Sequence, residues 1–128
     1  MTLINELKIN FWGRYFLIKV VYDCYGDEEI TLEQKKAILR FSQNLNWIDK
    51  AKNFVELFCE EDLINDDENH KKNNIFSYIK PEAIFVKRDF ENPRIAIMCK
   101  YRYDAEHGLA IVFDYEGNVT VGIQDIII

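Results

Sequence analysis

The stretch Arg94-Ile-Ala-Ile-Met-Cys-Lys-Tyr-Arg-Tyr103 decides the fold. Ile95, Ile97, Cys99, Tyr101 and Tyr103 fall on one side, and Lys100 and Arg102 on the other. That period of two is the mark of a strand with one buried face. A short polar segment, Asp104-Ala-Glu-His-Gly108, leads into a second run, Leu109–Tyr115, with Leu109, Ile111, Phe113 and Tyr115 on one face. Two alternating runs joined by a turn that contains glycine predict an antiparallel hairpin. Glu116-Gly-Asn118 has the chemistry of another tight turn, and Val119, Val121 and Ile123 carry the alternation on through 119–128.

Upstream, Ile75–Ile79 is a short strand-like run stopped at Lys80-Pro81, and Ala83–Arg88 is a second run closed by Glu91-Asn-Pro93. At the other end of the chain, Leu7, Ile9 and Phe11 alternate with Lys8 and Asn10. Gly13-Arg14 then offers a turn into the β-branched and aromatic run Tyr15–Tyr22, so residues 1–23 read as a hairpin. Between these strand regions lies a helical segment, 31–62. Thr31 and Gln34 have capping-box spacing, and Ile38, Phe41 and Leu45 recur at helical intervals. Trp47, Ile48, Ala51, Phe54, Val55 and Phe58 form a second stripe opposite Asp49, Lys50, Lys52, Asn53 and Glu56, and are expected to be core. Residues 63–74, rich in acid and amide side chains and including His70, read as a mobile surface loop. The order strands, helices, strands predicts a single α+β domain over 1–128. Its mainly antiparallel β-sheet, the N-terminal hairpin plus four or five C-terminal strands, packs on two α-helices.

With 128 residues, 48% of them apolar and 14% aromatic, the chain can bury one sizeable core. Cys24, Cys59 and Cys99 are too far apart in sequence for a CxxC motif and are odd in number, so reduced thiols are expected. The first residues lack the basic and apolar regions of a signal peptide, and no apolar run is long enough to span a bilayer. A cytoplasmic protein without membrane contact is the expectation. Net charge is −6 and uneven: residues 23–69 carry 13 acids against 5 bases, whereas 70–128 carry 8 of each. Such an acidic middle repels phosphate backbones and attracts a basic protein, which argues against a nucleic-acid partner.

The chemistry-bearing residues are sparse. Ser42 and Ser77 lie outside any GxSxG context. Cys99 and His107 suggest a thiol–imidazole pair, but an extended 99–104 segment would hold them on the order of 15 Å apart. Asp104, Glu106 and His107 supply at most three metal ligands, two of them adjacent, with no second His or Cys nearby. The structural alternative is turn chemistry: Asp104 bonding backbone amides, Gly108 at positive φ, and His107 packed on a neighbour or bonded to a backbone carbonyl. No catalytic residue, metal site or cofactor is therefore assigned. Arg88, Arg94, Lys100 and Arg102 with Tyr101 and Tyr103 are the nearest approach to a basic aromatic patch, diluted by Asp89, Glu91 and Asp104.

The segments Ile79-Lys-Pro-Glu-Ala-Ile-Phe85 and Cys99-Lys-Tyr-Arg-Tyr-Asp-Ala-Glu-His-Gly-Leu-Ala-Ile-Val-Phe113, with the closing Val121-Gly-Ile-Gln-Asp125, resemble a group of bacterial domains of unknown function. Their shared feature is an Asp-x-Glu-His-Gly-Leu-Gly hairpin followed by a valine-rich strand. Ala110 stands here in place of the last glycine. Domains of this kind are found among small immunity and polymorphic-toxin-associated proteins, with no enzymatic activity attached to them. The resemblance implies a binding protein that neutralises a cognate protein toxin by stoichiometric contact. Many such toxins are basic nuclease domains, which an acidic surface would mask. The expected partner-binding residues are Asp27, Glu28, Glu29, Glu60, Glu61, Asp62, Asp66, Asp67 and Glu68, with exposed aromatics as anchors. The alternative is a small enzyme or ligand-binding domain that uses the Asp104/Glu106/His107 hairpin.

Overall fold

A computed structural model of the chain describes residues 3–63 and 75–128. Strands β1 (Glu6–Phe11) and β2 (Arg14–Tyr22) are followed by helices α1 (Leu32–Ser42) and α2 (Trp47–Leu63). A 3-10 turn at Ile75–Tyr78 leads into β3 (Ile79–Val86), then β4 (Ile95–Tyr101), β5 (Leu109–Phe113) and β6 (Val119–Gly122). The strands form one sheet in sequence order, β1-β2-β3-β4-β5-β6. Every pairing is antiparallel except β2–β3, where Lys19 opposes Ala83 and Tyr22 opposes Val86 in parallel. Parallel neighbours need a crossover, and α1 and α2 supply it. The expected α+β architecture is present, with the N-terminal hairpin and four C-terminal strands. The proposed loop at 63–74 lies, apart from Leu63, outside the described residues.

The first hairpin turns at Trp12 and Gly13, both at positive φ (55° and 96°), the backbone that a two-residue connection demands. Asn10 Oδ1 accepts from the Gly13 amide at 2.7 Å and locks it. The Trp12 ring then packs on Phe11 and Phe76, and its indole N–H donates to the Ile48 carbonyl at 2.8 Å. The hairpin is thus fastened to α2. Helix α2 also lies against β6, at the far edge of the sheet, so the sheet curls around this helix.

Helix α1 starts with the expected capping box between Thr31 and Gln34. Gln34 is completely buried, and its side-chain amide donates to the Asp23 and Val86 carbonyls, both at 3.1 Å. One residue thereby caps the helix and ties it to the ends of β2 and β3. The main core lies between the helices and one face of the sheet: Ile9, Phe11, Ile18, Phe41, Ile48, Val55, Ile84, Ile97, Tyr101, Ile111 and Phe113 are buried there. A smaller cluster covers part of the opposite face, where Ile127 folds back over Ala96, Ala110 and Val112.

Several expectations are corrected. Residues 75–78 are a 3-10 turn, and β3 runs from Ile79 straight through Pro81 instead of stopping there. Proline fits because β2 pairs with β3 only from Ala83 onward and a register shift falls between Pro81 and Ala83. Strand β4 ends at Tyr101, so Tyr103 belongs to a 3-10 turn at Arg102–Asp104. Strand β6 ends at Gly122 and the chain bends into a 3-10 turn at Gln124–Ile126. Phe54 is not core: half of it is exposed, whereas Cys59, one turn beyond Val55, is fully buried.

Candidate partner-binding surface

The acidic residues chosen from sequence divide into separate groups. Asp27, Glu28 and Glu29 lie in the loop after β2, beside the C-terminal end of β3. Part of this loop's charge is met by Arg88, just beyond β3. Glu28 pairs with Arg88 at 3.2 Å and accepts from the Tyr25 amide at 2.6 Å, while Arg88 also donates to the Glu29 carbonyl at 2.8 Å. Asp23, at the same place, accepts from the Arg88 amide and pairs with Lys87 at 3.5 Å. Asp27 and Glu29 are exposed.

Glu60 and Glu61 stand in the last turns of α2. Phe58 packs on Tyr101, the residue opposite Ile79 at the start of β3, with ring centroids 6.5 Å apart. This end of α2 is therefore separated from the 27–29 loop by the length of β3, roughly 23 Å at about 3.3 Å per residue. The structure brings Glu60 and Glu61 together with each other and not with Asp27, Glu28 and Glu29. Asp66, Asp67 and Glu68 lie outside the described residues, as does the side chain of Asp62.

What the acidic end of α2 has beside it is apolar surface. Ile48, Ala51, Val55 and Cys59 face the core at helical spacing and are fully buried. Phe54 sits about a third of a turn round from that stripe and Leu57 nearly opposite it, and they are 50% and 58% exposed. Glu56 and Glu61 are exposed around them, and Glu60 is partly so. A Phe–Leu pair one turn apart, bordered by Lys50 and Asn53 on one side and by Glu60 and Glu61 on the other, is an apolar contact patch with a polar border that is acidic toward the end of the helix. Periodicity alone does not separate Phe54 from the core stripe, because its interval of three from Ala51 is one the stripe itself uses; its exposure is visible only in the fold.

The β4–β5 connection is a built turn. Asp104 Oδ1 accepts from the His107 amide at 3.1 Å, and its carboxylate meets His107 Nδ1 at 2.9 and 3.1 Å. The backbone amide bond to His107, then the ring, hold the Asp104 carboxyl below its usual range. The same contact raises the His107 imidazole above its usual value. Gly108 has φ +63, as a turn glycine should, and its amide donates to the Asp104 carbonyl at 2.9 Å. The His107 ring thus bonds a carboxylate, where the sequence suggested a packed ring or a carbonyl partner. Strand β5 returns beside β4 and pairs Cys99 with Leu109, two residues beyond His107. The Cys99 thiol is fully buried in the core, and burial pushes its ionisation far above the ordinary thiol range. The Asp–His pair resembles the base and orienting acid of a hydrolytic site, but the buried Cys99 thiol cannot serve it as nucleophile.

Among the described residues no cluster of three or more His, Cys, Asp or Glu side chains could hold a metal ion. Nor is any helix among them long and apolar enough to cross a membrane. No curated protein and no solved structure matches the chain significantly. A family model described as a domain of unknown function, DUF6985, matches residues 3–128, nearly the whole fold described above. The chain belongs to the DUF6985 family.

Proposed function

We propose that this domain is a protein-binding module of the immunity type, which captures a toxin effector domain with the outward face of α2. The observation that carries this reading is the exposure of Phe54 and Leu57 among Glu56, Glu60 and Glu61. Apolar side chains of this size supply most of the affinity of an interface when they enter a partner's pocket. The surrounding carboxylates steer a basic partner during approach and disfavour acidic competitors. The complementary surface is therefore a basic rim around an apolar cleft, such as the substrate groove of a nuclease domain.

Co-expression with any effector domain found encoded beside this chain's gene tests the reading. Phe54→Ala combined with Leu57→Ala should weaken binding by roughly 10-fold to 100-fold while leaving the melting temperature nearly unchanged. Glu60→Lys with Glu61→Lys should slow association and reduce its dependence on salt. Wild-type protection and binding kinetics in both double variants would exclude this face. Failure of the wild-type chain to bind or protect against any adjacent effector would exclude the immunity role.

A further inference from the structure

A second site lies on the sheet face turned away from the helices. Arg94 stands one position before the Ile95–Phe113 pair, so across the β4–β5 ladder it faces Asp114. The two do not join in an ion pair. Arg94 Nε is shielded from solvent and has no hydrogen-bond acceptor among the described residues. A buried guanidinium N–H without an acceptor is costly and uncommon, which makes it a pointer to a ligand atom.

The surroundings have the form of a small binding pocket. A cavity of about 250 Å³ is lined by Asn92, Arg94, Val112, Asp114, Asn118, Thr120 and Ile126. That is below the roughly 300–1,000 Å³ of sites for drug-sized ligands. Val112 and Ile126 give it an apolar wall, and Asn92 and Thr120 add polar groups. Asp114 Oδ1 accepts from the Glu116 and Asn118 amides, and Oδ2 accepts only from Asn118 Nδ2, all at 2.9 Å. A carboxylate oxygen with one such bond retains accepting capacity. Burial works against ionisation of Asp114, but these hydrogen bonds outweigh it and hold the carboxyl below its usual range. The cavity thus sets one cation and one anion against a small apolar wall. Asp89, whose carboxylate caps the Glu91 and Asn92 amides, adds a second negative charge near Arg94 and disfavours a dianion such as phosphate.

We propose that this cavity binds a free α-amino acid with a small aliphatic side chain. Its carboxylate meets the Arg94 guanidinium, its ammonium group turns to Asp114, and its side chain lies on Val112 and Ile126. The pocket is on the opposite face of the sheet from the core that seats α2, so it is independent of the partner-binding surface.

Titration of the whole chain with L-leucine, followed by amide resonances and calorimetry, tests the assignment. Saturable shifts are expected at Val112, Thr120 and Ile126. Leucinamide, which lacks the carboxylate, and N-acetyl-leucine, which lacks the ammonium, should each bind at least roughly 10-fold more weakly. Arg94→Gln should cost a similar factor for L-leucine. Because Arg94 Nε satisfies no protein acceptor, this variant should melt within about 2 °C of wild type. Should it fail to fold, Thr120→Gln at an exposed β6 position fills the cavity and should abolish the shifts. Absence of saturation at tens of millimolar, equal affinity for leucinamide or N-acetyl-leucine, or undiminished binding by both variants would overturn the proposal.

Discussion

The side-chain amide of Gln124 occupies the space in front of Gly108: a Cβ built on that glycine would lie 2.6 Å from Gln124 Nε2 and 2.9 Å from the Cys99 carbonyl. Gln124 Nε2 donates to that same carbonyl at 3.0 Å, and the Gln124 amide donates to the His107 carbonyl at 3.1 Å. The C-terminal 3-10 turn is therefore latched onto the β4–β5 turn through a slot that only glycine leaves open.

Gly108→Ala is expected to destabilise the domain by about 1–3 kcal/mol, from the positive φ and the contact with Gln124 together. Gln124→Ala should cost about 1 kcal/mol by removing one hydrogen bond. Chemical denaturation of the two single variants and the double variant checks the coupling. The double should lose less than the sum, because the shortened side chain removes part of the clash.

Gln34→Leu should be among the most damaging changes to α1, at about 2–3 kcal/mol. It keeps the apolar bulk but removes the Gln34 donor from the Asp23 carbonyl and from the Val86 carbonyl, which keeps only the Asp23 amide, and deletes half of the capping box. Urea unfolding at unchanged m-value measures it.

Stability should depend on pH through the Asp104–His107 pair. His107 is raised in the folded state, so its contribution is fully present below its unfolded value of 6.5 and fades as pH rises through the higher folded value. Asp104 is lowered, so its contribution is present above its unfolded value of 3.8 and fades as pH falls through the lower folded value. Both act together between those two unfolded values. His107→Gln should flatten the melting temperature across the neutral range relative to wild type. Parallel curves for the two proteins would show that the pair has no part in stability.

The three thiols should react in two classes. Cys24 is partly exposed, whereas Cys59 and Cys99 are completely buried, and burial further suppresses the Cys99 thiolate. An aromatic disulfide reagent should label one thiol per native chain at neutral pH and all three in denaturant, which absorbance of the released thiolate counts.

Where a residue's neighbours along the chain determine its surroundings, the fold could be read from sequence. The alternation from Ile95 to Tyr101, the Thr31/Gln34 cap and the glycine turns at 13, 108 and 117 each have a local physical cause. What escaped depends on distant partners. Pro81 can lie inside a strand because β3 pairs with β2 only from Ala83 onward. Phe54 and Val55 differ in burial by a rotation of one residue on α2, which the composition of the helix does not resolve. The acidic residues were expected to form one surface, but the fold places Asp27–Glu29 and Glu60–Glu61 at opposite ends of β3. Arg94 gave no signal as a site residue because its distinction, an unmet donor inside a polar cavity, exists only in three dimensions.

The single parallel pairing among the described residues, β2 against β3, has a consequence for how the protein is made. Lys19 meets Ala83 across a gap of 64 residues, so the N-terminal hairpin leaves the ribosome long before the strand that completes it. Until then one long side of β2, with Leu17 and Val21, is an open hydrogen-bonding edge with apolar side chains along it. Contacts closed over such a span form slowly. Synthesis rate and chaperone access, more than final stability, should therefore govern the yield of folded protein, and slowing translation between residues 23 and 79 should lower it.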